Sequence, residues 1–424
     1  MSDRTKNSSN DVILPVLRAT ALALVLSLGL RGLIPRSTDF LCYWTAGKLI
    51  TTGYSPYNPD AQTRVQRELG WDKNTQGGGR YDFLPYYCPP WLALFCAPFT
   101  LISYENAEKV WFSINLEFLI LSTILLKKTA GRIPGIAPEA VVFMFFPTLV
   151  ALWAGQISPA ILLAICVAWW LIDQGRDGVA GALLACLTVK PQISALLLAG
   201  VMIWATRRRR WGVVVGFGGG LGLLCLVCTA ILPSWPAEML HATRLTPLPT
   251  DFWPWVGASW TLALRTLGVH GKLLWVAYGL VAVPITVSTL RVAWDRRRPL
   301  RDVLAMASFG AFFISPYAQL YDFPILVIPL LILLGHRLPR LGGLALLTAF
   351  LLIPFAHAIL LSRASTHGYY SIYLDKYLMM MMPVILAACW LVTGLTGLSR
   401  PAPRVAAGGR SILHHAVASR ERTP

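Results

Sequence analysis

Long apolar runs constrain the fold of this chain more than any other feature of its sequence. The runs over 12–34, 211–232, 341–361 and 373–392 each hold about 20 predominantly apolar residues, the length at which an α-helix crosses the hydrocarbon of a bilayer. Charged residues make up only 13% of the chain, whereas soluble domains carry about 25%. The pattern therefore predicts an all-α polytopic membrane protein.

We predict a bundle of about twelve transmembrane helices with a large outward loop after the first helix. The segment 89–103 is alternatively a half-span, and 178–205 is either one span or a hairpin kinked at Pro191. The first run is too long for a signal h-region and lacks a small-residue cleavage site, so we expect it to be retained. Residues 1–398 then form one domain, and 399–424 a disordered basic cytoplasmic tail. The predicted spans are 12–34, 88–103, 105–126, 139–155, 157–174, 178–205, 211–233, 271–294, 302–317, 322–335, 341–361 and 373–396.

Arginine clusters predict which loops face the cytoplasm. Much of the formal net charge of +17 is concentrated at 207–210, 295–298 and 336–340, and each cluster lies between two apolar runs. Cationic short loops are typical of the cytoplasmic side, so this placement argues against a nucleic-acid partner and orients the chain in the cell membrane. The basic stretch 127–132 does not fit, because twelve spans place it outside.

The segments 35–87 and 233–271 are predicted to be outward loops, with a shorter one at 362–372. The first loop is rich in tyrosine and tryptophan, which suit both the headgroup level of a membrane and stacking on sugar rings. Cys42 and Cys88 flank this loop and could form a disulfide in an oxidising space. The remaining cysteines lie mostly in apolar spans and are predicted to be small buried hydrophobes.

Two charged residues stand where a charge is costly. Asp39 directly follows the first span, and a carboxylate at a membrane boundary is a functional candidate. It is equally a helix cap or a partner for Arg36. Lys190 lies in an otherwise apolar helix, where an unpaired charge costs about 2.5–3.5 kcal/mol. It either belongs to a site, or it snorkels or pairs with an acid such as Glu117.

Five short motifs occur in an order that resembles one enzyme family. They are Asp39-Phe40-Leu41-Cys42-Tyr43-Trp44 with Gly53-Tyr54-Ser55-Pro56-Tyr57, Tyr87-Cys88-Pro89-Pro90-Trp91, Gly155-Gln156, Lys190-Pro191-Gln192, and Ser315-Pro316-Tyr317 through Tyr321-Asp322. Each motif is weak alone, but the set resembles glycosyltransferase family 87, polyprenol-phosphate-mannose-dependent α-mannosyltransferases of the GT-C superfamily. Many relatives have His or His-His shortly after the Ser-Pro motif, where this chain has Tyr321-Asp322, so its acceptor or sugar can differ.

The resemblance implies an inverting transfer of a sugar, with mannose expected, from a polyprenyl-phosphate donor to a lipid or glycan acceptor at the outer membrane face. Asp39 matches the position of the general base, and one carboxylate suffices because the leaving phosphate is already a weak base. Lys190 is expected to contact the donor phosphate or a catalytic-site carboxylate. The other expected donor-phosphate or substrate contacts are Gln156, Arg80, Tyr321 and Asp322.

No cofactor or metal is expected, because the histidines lack metal-ligand spacing. The expected partners are the donor, the acceptor and membrane lipids. A transporter or lipid flippase is the alternative, since such proteins place broken helices and ionisable residues at mid-membrane, and Lys190 with Glu117 would fit it. Asp322 also has two interpretations: a second acid in the site, or the N-terminal cap of a short helix.

Overall fold

The computed structural model describes residues 38–71, 83–129, 137–245, 258–367 and 370–396. Within these ranges the chain is all-helical, which confirms the predicted class. The predicted first span, the predicted tail and Arg80 lie outside the described residues.

Helices follow one another along the described chain with short connections. The segments predicted to be the two longer outward loops contain four of them, α1, α2, α11 and α12, whose bounds are given in the next sentence. The α-helices are α1 (Thr38–Thr51), α2 (Pro59–Glu68), α3 (Pro90–Cys96), α4 (Tyr104–Thr129), α5 (Pro138–Met144), α6 (Phe146–Trp153), α7 (Ser158–Asp173), α8 (Asp177–Ala185), α9 (Pro191–Arg207), α10 (Trp211–Ile231), α11 (Trp235–Leu245), α12 (Trp260–Thr266), α13 (Gly271–Trp294), α14 (Leu300–Ile314), α15 (Val327–Ile332), α16 (Arg340–His367) and α17 (Tyr370–Thr396). Short 3₁₀ segments lie at Ala97–Leu101, Cys186–Val189 and Leu320–Leu326, and a π-helical turn at Leu333–Arg337.

Three of the described helices are long and apolar enough to cross a membrane, namely α4, α10 and α13. The pair α6 and α7 is a fourth candidate, bent by 119° at a break, as in a broken span or a re-entrant loop. The predicted number of twelve spans is therefore not confirmed. Several predicted spans fold as shorter helices, and α14, for example, has 15 residues and is buried along nearly its whole length.

The predicted span over 178–205 is divided at its interior proline. The helix α8 ends at Ala185, a 3₁₀ turn follows, and α9 begins at Pro191. Proline lacks an N–H and has a fixed φ, so it suits the first position of a helix better than its interior. Lys190 consequently lies at the break before α9 and not inside an apolar helix, and of the two alternatives for 178–205 the single unbroken span is wrong.

Glycines allow α8 and α10 to pack backbone against backbone. A Cβ on Gly181 would lie 2.1 Å from the carbonyl oxygen of Val213, and a Cβ on Gly216 would lie 2.1 Å from that of Gly178. Close approach through small residues is a main source of helix association in membranes. This contact fixes α8, and with it the turn that carries Lys190, against α10.

The cysteines that flank the first loop, Cys42 and Cys88, are both free, so the disulfide considered for them is not formed. Cys42 Sγ instead donates to the Pro85 carbonyl at 3.3 Å, and Tyr57 Oη donates to the Cys88 carbonyl at 2.9 Å. These bonds tie α1 to the segment before α3. They hold in place the helix that carries Asp39.

Candidate functional site

Four helical N-termini meet at one place in the structure. The helices α1, α7 and α9 and the 3₁₀ segment Leu320–Leu326 begin there, and the side chains at these starts contact one another. The unpaired N–H groups of a helix start carry partial positive charge, and such starts bind anions. The arrangement brings together five of the six predicted site residues, which are Asp39, Gln156, Lys190, Tyr321 and Asp322.

Lys190 pairs with Asp322, not with Glu117. Its Nζ lies 2.6 Å from Asp322 Oδ1, and only 6% and 1% of the two side chains are exposed. The same Nζ donates to Gln156 Oε1 at 2.7 Å and lies 4.8 Å from the centroid of the Tyr321 ring. An ammonium has three N–H donors, and Asp322 and Gln156 accept from two of them.

Asp322 is both a helix cap and the counter-charge of Lys190. Its Oδ2 accepts from the Gln319 N–H at 2.9 Å, which completes a capping box at the start of Leu320–Leu326. Its Oδ1 accepts from Lys190 and from Ser158 Oγ, the latter at 3.3 Å. A carboxylate has lone pairs for all three bonds, so the two interpretations from the sequence are compatible.

Gln156 lies at the break between α6 and α7. The preceding Gly155 has a φ of 67°, in the left-handed region that glycine adopts without steric cost. The turn is anchored from two sides. Trp111 Nε1 donates to the Gly155 carbonyl at 2.7 Å, and the Asp39 N–H donates to the Ala154 carbonyl at 3.1 Å. The residue before the Gly-Gln motif is therefore bonded to the backbone of Asp39.

The side-chain amide of Gln156 has one orientation that suits its neighbours. Its Oε1 accepts from Lys190 and, at 2.8 Å, from Tyr43 Oη. Because an ammonium only donates, the amide oxygen must face it. The amide nitrogen remains for Asp39, whose carboxylate hydrogen-bonds the Gln156 side chain. Asp39, Gln156, Lys190 and Asp322 thus form a continuous chain of polar contacts, which we call the Asp39 relay.

Asp39 is the partly exposed member of the relay, whereas the other three are buried. It lies in α1, which is not among the helices long and apolar enough to cross a membrane. Burial is the largest of the effects that raise the pKa of Asp39 to about 6, and the Gln156 hydrogen bond and the Lys190 charge oppose it. A carboxylate with this pKa is ionised at neutral pH and still basic enough to take a proton from a hydroxyl.

A cavity of about 520 Å³ adjoins the relay. Its lining includes Ile157 and Val189, the chain neighbours of Gln156 and Lys190. The rest of the lining is apolar or cysteine and comes from α3, α7, α10 and the 3₁₀ segment Cys186–Val189. Ligand pockets of this size are usually apolar with a few placed polar groups, and this lining is apolar apart from its cysteines. The cavity can hold part of a hydrocarbon chain.

Sequence reasoning did not identify Tyr43, Ser158 and Gln319 as parts of this site. Tyr43 lies about one helical turn after Asp39 in the first motif, and that spacing was the available signal. Ser158 follows Gln156 by two residues and Gln319 precedes Asp322 by three, and neither spacing marks a contact.

The model of glycosyltransferase family 87 matches residues 86–316, which is more than half of the chain. A search of curated proteins and a search of solved structures found no match. The matched region includes Gln156 and Lys190, but it begins after Asp39 and ends before Asp322. The hydrogen bonds described above connect both ends of the relay to the matched region.

Proposed function

Because the chain belongs to glycosyltransferase family 87, we propose that it transfers a sugar from a polyprenyl-phosphate donor to a hydroxyl of a lipid or glycan acceptor. The family match and the long apolar helices support its assignment as a membrane glycosyltransferase. Mannose is the sugar that the family resemblance favours. The observation that carries the proposal is the Asp39 relay beside an apolar cavity. A carboxylate base next to a hydrocarbon site suits a donor whose sugar is attached to a lipid phosphate.

Asp39 is the general base of the proposed transfer. Its carboxylate takes the proton of the acceptor hydroxyl as the hydroxyl oxygen attacks the anomeric carbon. The bond from that carbon to the phosphate oxygen breaks, and its electron pair leaves with the phosphate. Attack opposite the leaving group inverts the anomeric configuration. The partial exposure of Asp39 supports this role, because the acceptor must reach the base.

Lys190 is a positioning residue in this mechanism rather than a direct ligand of the donor phosphate. Asp322 and Gln156 accept from two of its N–H donors and the Tyr321 ring lies 4.8 Å from its Nζ, so the ammonium is already held by groups of the protein. Through Gln156 Oε1 the ammonium fixes the amide that hydrogen-bonds Asp39. This matters because a misplacement of about 1 Å can reduce the rate about 10²-fold.

The donor phosphate is assigned to the starts of α7 and α9. These helices have 16 and 17 residues, and each carries the equivalent of about half a positive charge at its N-terminus. The apolar cavity reaches the first turn of α7 and the segment before α9, so a lipid in the cavity would bring its phosphate to this place. Backbone N–H groups there would stabilise the charge that develops on the leaving group.

We assign the site to the outward face of the cell membrane. The helix α9 has 17 residues and is about 25 Å long at ~1.5 Å per residue. It begins next to Lys190 and ends at the turn 207–210. An arginine-rich turn favours the cytoplasmic side, which places the relay toward the opposite face. A polyprenyl-phosphate sugar suits that face because it requires no nucleotide outside the cell.

The experiment that tests the proposed function compares Asp39→Asn with Asp60→Asn. Asp60 is an exposed carboxylate in the first turn of α2 and serves as the matched control. Membranes containing each protein at equal abundance are incubated with radiolabelled polyprenyl-phosphate sugars and extracted lipid or glycan acceptors. Loss of a general base reduces turnover by about 10²–10⁴-fold, so Asp39→Asn should lose transfer and Asp60→Asn should keep it. Wild-type transfer by Asp39→Asn would remove Asp39 from the active site.

Two observations favour a second candidate function, that of a lipid flippase or transporter. The α6–α7 break of 119° and the buried Lys190–Asp322 pair are features that transporters place at their substrate sites. The same membranes distinguish the two functions. A flippase would move the polyprenyl-phosphate sugar across sealed vesicles without forming a new glycosidic bond, whereas the proposed enzyme must form labelled product.

A further inference from the structure

A second cluster of charge lies at the end of α9 remote from the Asp39 relay. The turn 207–210 and the stretch 296–301 together contain eight arginines. Arg208 joins them, since its Nη2 donates to the Arg296 carbonyl at 2.8 Å and also to the Arg298 carbonyl. Trp204 Nε1 donates to the same Arg298 carbonyl at 3.3 Å. The two stretches therefore form one surface, which we call the arginine surface.

Carboxylates neutralise only part of the arginine surface. Asp177 is bound by Arg210 through Nε at 2.9 Å and through Nη2 at 2.5 Å. Asp295 and Asp302 lie 3.9 Å and 3.6 Å from guanidinium nitrogens of Arg298. Within the described residues, no carboxylate oxygen lies within 4.0 Å of the guanidinium nitrogens of five others. These are Arg207, Arg208, Arg209, Arg296 and Arg297.

Two guanidinium nitrogens of this surface are buried and lack an acceptor within the part of the chain that the structure describes. They are Arg207 Nε and Arg208 Nη1. The Arg207 guanidinium also lies 4.1 Å from the centroid of the Trp294 ring. Buried donors without acceptors are rare in proteins because they are costly, so their presence here favours a ligand that supplies acceptor oxygens.

The arginine surface lies where two apolar helices end. The helix α10 begins at Trp211 and α13 ends at Trp294, and both helices are long and apolar enough to cross a membrane. The two tryptophans are 55% and 58% exposed, as is common at the level of lipid headgroups. One to two turns further along these helices, Val215 and Val287 are also exposed. The surface thus combines cations with an adjoining apolar face.

We propose that the arginine surface binds the phosphate headgroup of an anionic phospholipid, with its acyl chains along α10 and α13. Headgroup oxygens accept from the exposed guanidinium groups of Arg209, Arg296 and Arg297, and the chains cover the exposed tryptophan and valine side chains. Basic pockets between transmembrane helices are known to bind such headgroups. A free phosphate would satisfy the donors but leave the apolar face uncovered. The site does not depend on the proposed sugar transfer, since it lies about 25 Å from the relay along α9.

The test measures lipid preference in phosphatidylcholine nanodiscs. Spin-labelled phosphatidylglycerol and spin-labelled phosphatidylcholine are added in turn, and the protein-bound fraction of each is measured by electron spin resonance. The wild type should favour the anionic label. The double variant Arg209→Gln/Arg297→Gln removes two exposed charges and leaves the bonds of Arg208 intact. It should lower the preference by about five-fold for each arginine removed.

The matched control is Lys128→Gln/Lys272→Gln, which removes two exposed charges from α4 and from the opposite end of α13. It should retain the preference of the wild type, because neither lysine belongs to the arginine surface, whereas the loss of net charge is the same. An equal loss in both double variants would reduce the effect to net charge and overturn the proposal. Excess inorganic phosphate forms a second arm. Failure to displace the anionic label supports a lipid site, and full displacement would identify a site for free phosphate instead.

Discussion

Replacement of Gln156 by leucine tests the Asp39 relay at its centre. Leucine is similar in size but has no amide, so Asp39 loses a donor while Lys190 and Tyr43 lose their acceptor. A hydrogen bond to a charged group contributes about 1.5–3 kcal/mol, and about 1.4 kcal/mol corresponds to one pH unit of titration. Because this bond stabilises the ionised carboxylate, its loss raises the pKa of Asp39. The acid limb of the pH profile of kcat/KM should therefore move to higher pH by about 1–2 units. We expect a shift nearer 1 unit, because Asp39 is partly exposed to water.

The assay is the transfer of radiolabelled sugar from polyprenyl phosphate, measured from about pH 5 to about pH 9. In the wild type, kcat/KM should fall below about pH 6, because protonated Asp39 cannot act as a base. In Gln156→Leu the fall should begin at higher pH, and alkaline pH should restore part of the activity. A variant that had only lost stability would not recover with rising pH.

Two comparisons separate the relay from a general effect of losing a buried amide. Gln62 is also buried, with 3% exposed, and its Oε1 accepts from the Tyr86 N–H at 3.0 Å, outside the relay. Gln62→Leu should therefore reduce stability without moving the acid limb. Tyr43→Phe removes one of the three donors to Gln156 Oε1 and should give a smaller movement in the same direction. An acid limb at the wild-type pH in Gln156→Leu would refute the proposed orientation of Asp39, whatever the remaining rate.

Two further predictions concern other members of the relay. Lys190→Met removes the cation that lowers the pKa of Asp39 and leaves Asp322 buried without its partner. The acid limb of kcat/KM should move to higher pH, and thermal unfolding should show a loss of about 3–5 kcal/mol in the free energy of unfolding. Lys190→Arg should recover part of both losses. An unchanged pH profile together with an unchanged unfolding midpoint would contradict the pairing. Asp39→Asn removes a carboxylate whose pKa is raised from 3.8 to about 6, so the folded protein holds this proton more tightly than the unfolded chain and loses stability as the pH rises between these values. The variant should be more stable than the wild type above about pH 6, by up to ~3 kcal/mol, and the difference should vanish below about pH 4; a lower midpoint at neutral pH would count against the raised pKa.

Hydropathy predicted the helical class and the long helices α4, α10 and α13, but it could not separate a membrane span from a buried helix. In α10 only 6% of the apolar window is buried, whereas α14, also apolar, is surrounded by other helices. Burial depends on the packing partner, and the composition of one helix contains no information about that partner. The break between α5 and α6 had a local signal in Pro147, because proline is favoured in the first turn of a helix and Pro147 lies in the first turn of α6.

The site could be predicted as a set of residues but not as a connected relay. The cost of an isolated charge drew attention to Asp39 and Lys190, and the motifs added Gln156, Tyr321 and Asp322. The bonds between them join residues far apart in the chain, with Tyr43 and Gln156 separated by 113 positions and Lys190 and Asp322 by 132. A buried lysine requires an acid, but the sequence offered more than one.

The formal charges of the relay account for the use of helix N-termini at this site. Asp39 and Asp322 are acids and Lys190 is a base, so the relay carries about one net negative charge when all three are ionised. The starts of α7 and α9 contribute about half a positive charge each, which offsets the relay but not an incoming phosphate. Proton transfer from the acceptor to Asp39 then neutralises the relay as the leaving phosphate takes up negative charge. In the proposed mechanism, base catalysis and stabilisation of the leaving group are therefore coupled through one carboxylate. Donor binding should strengthen as the pH falls toward 6 while turnover declines.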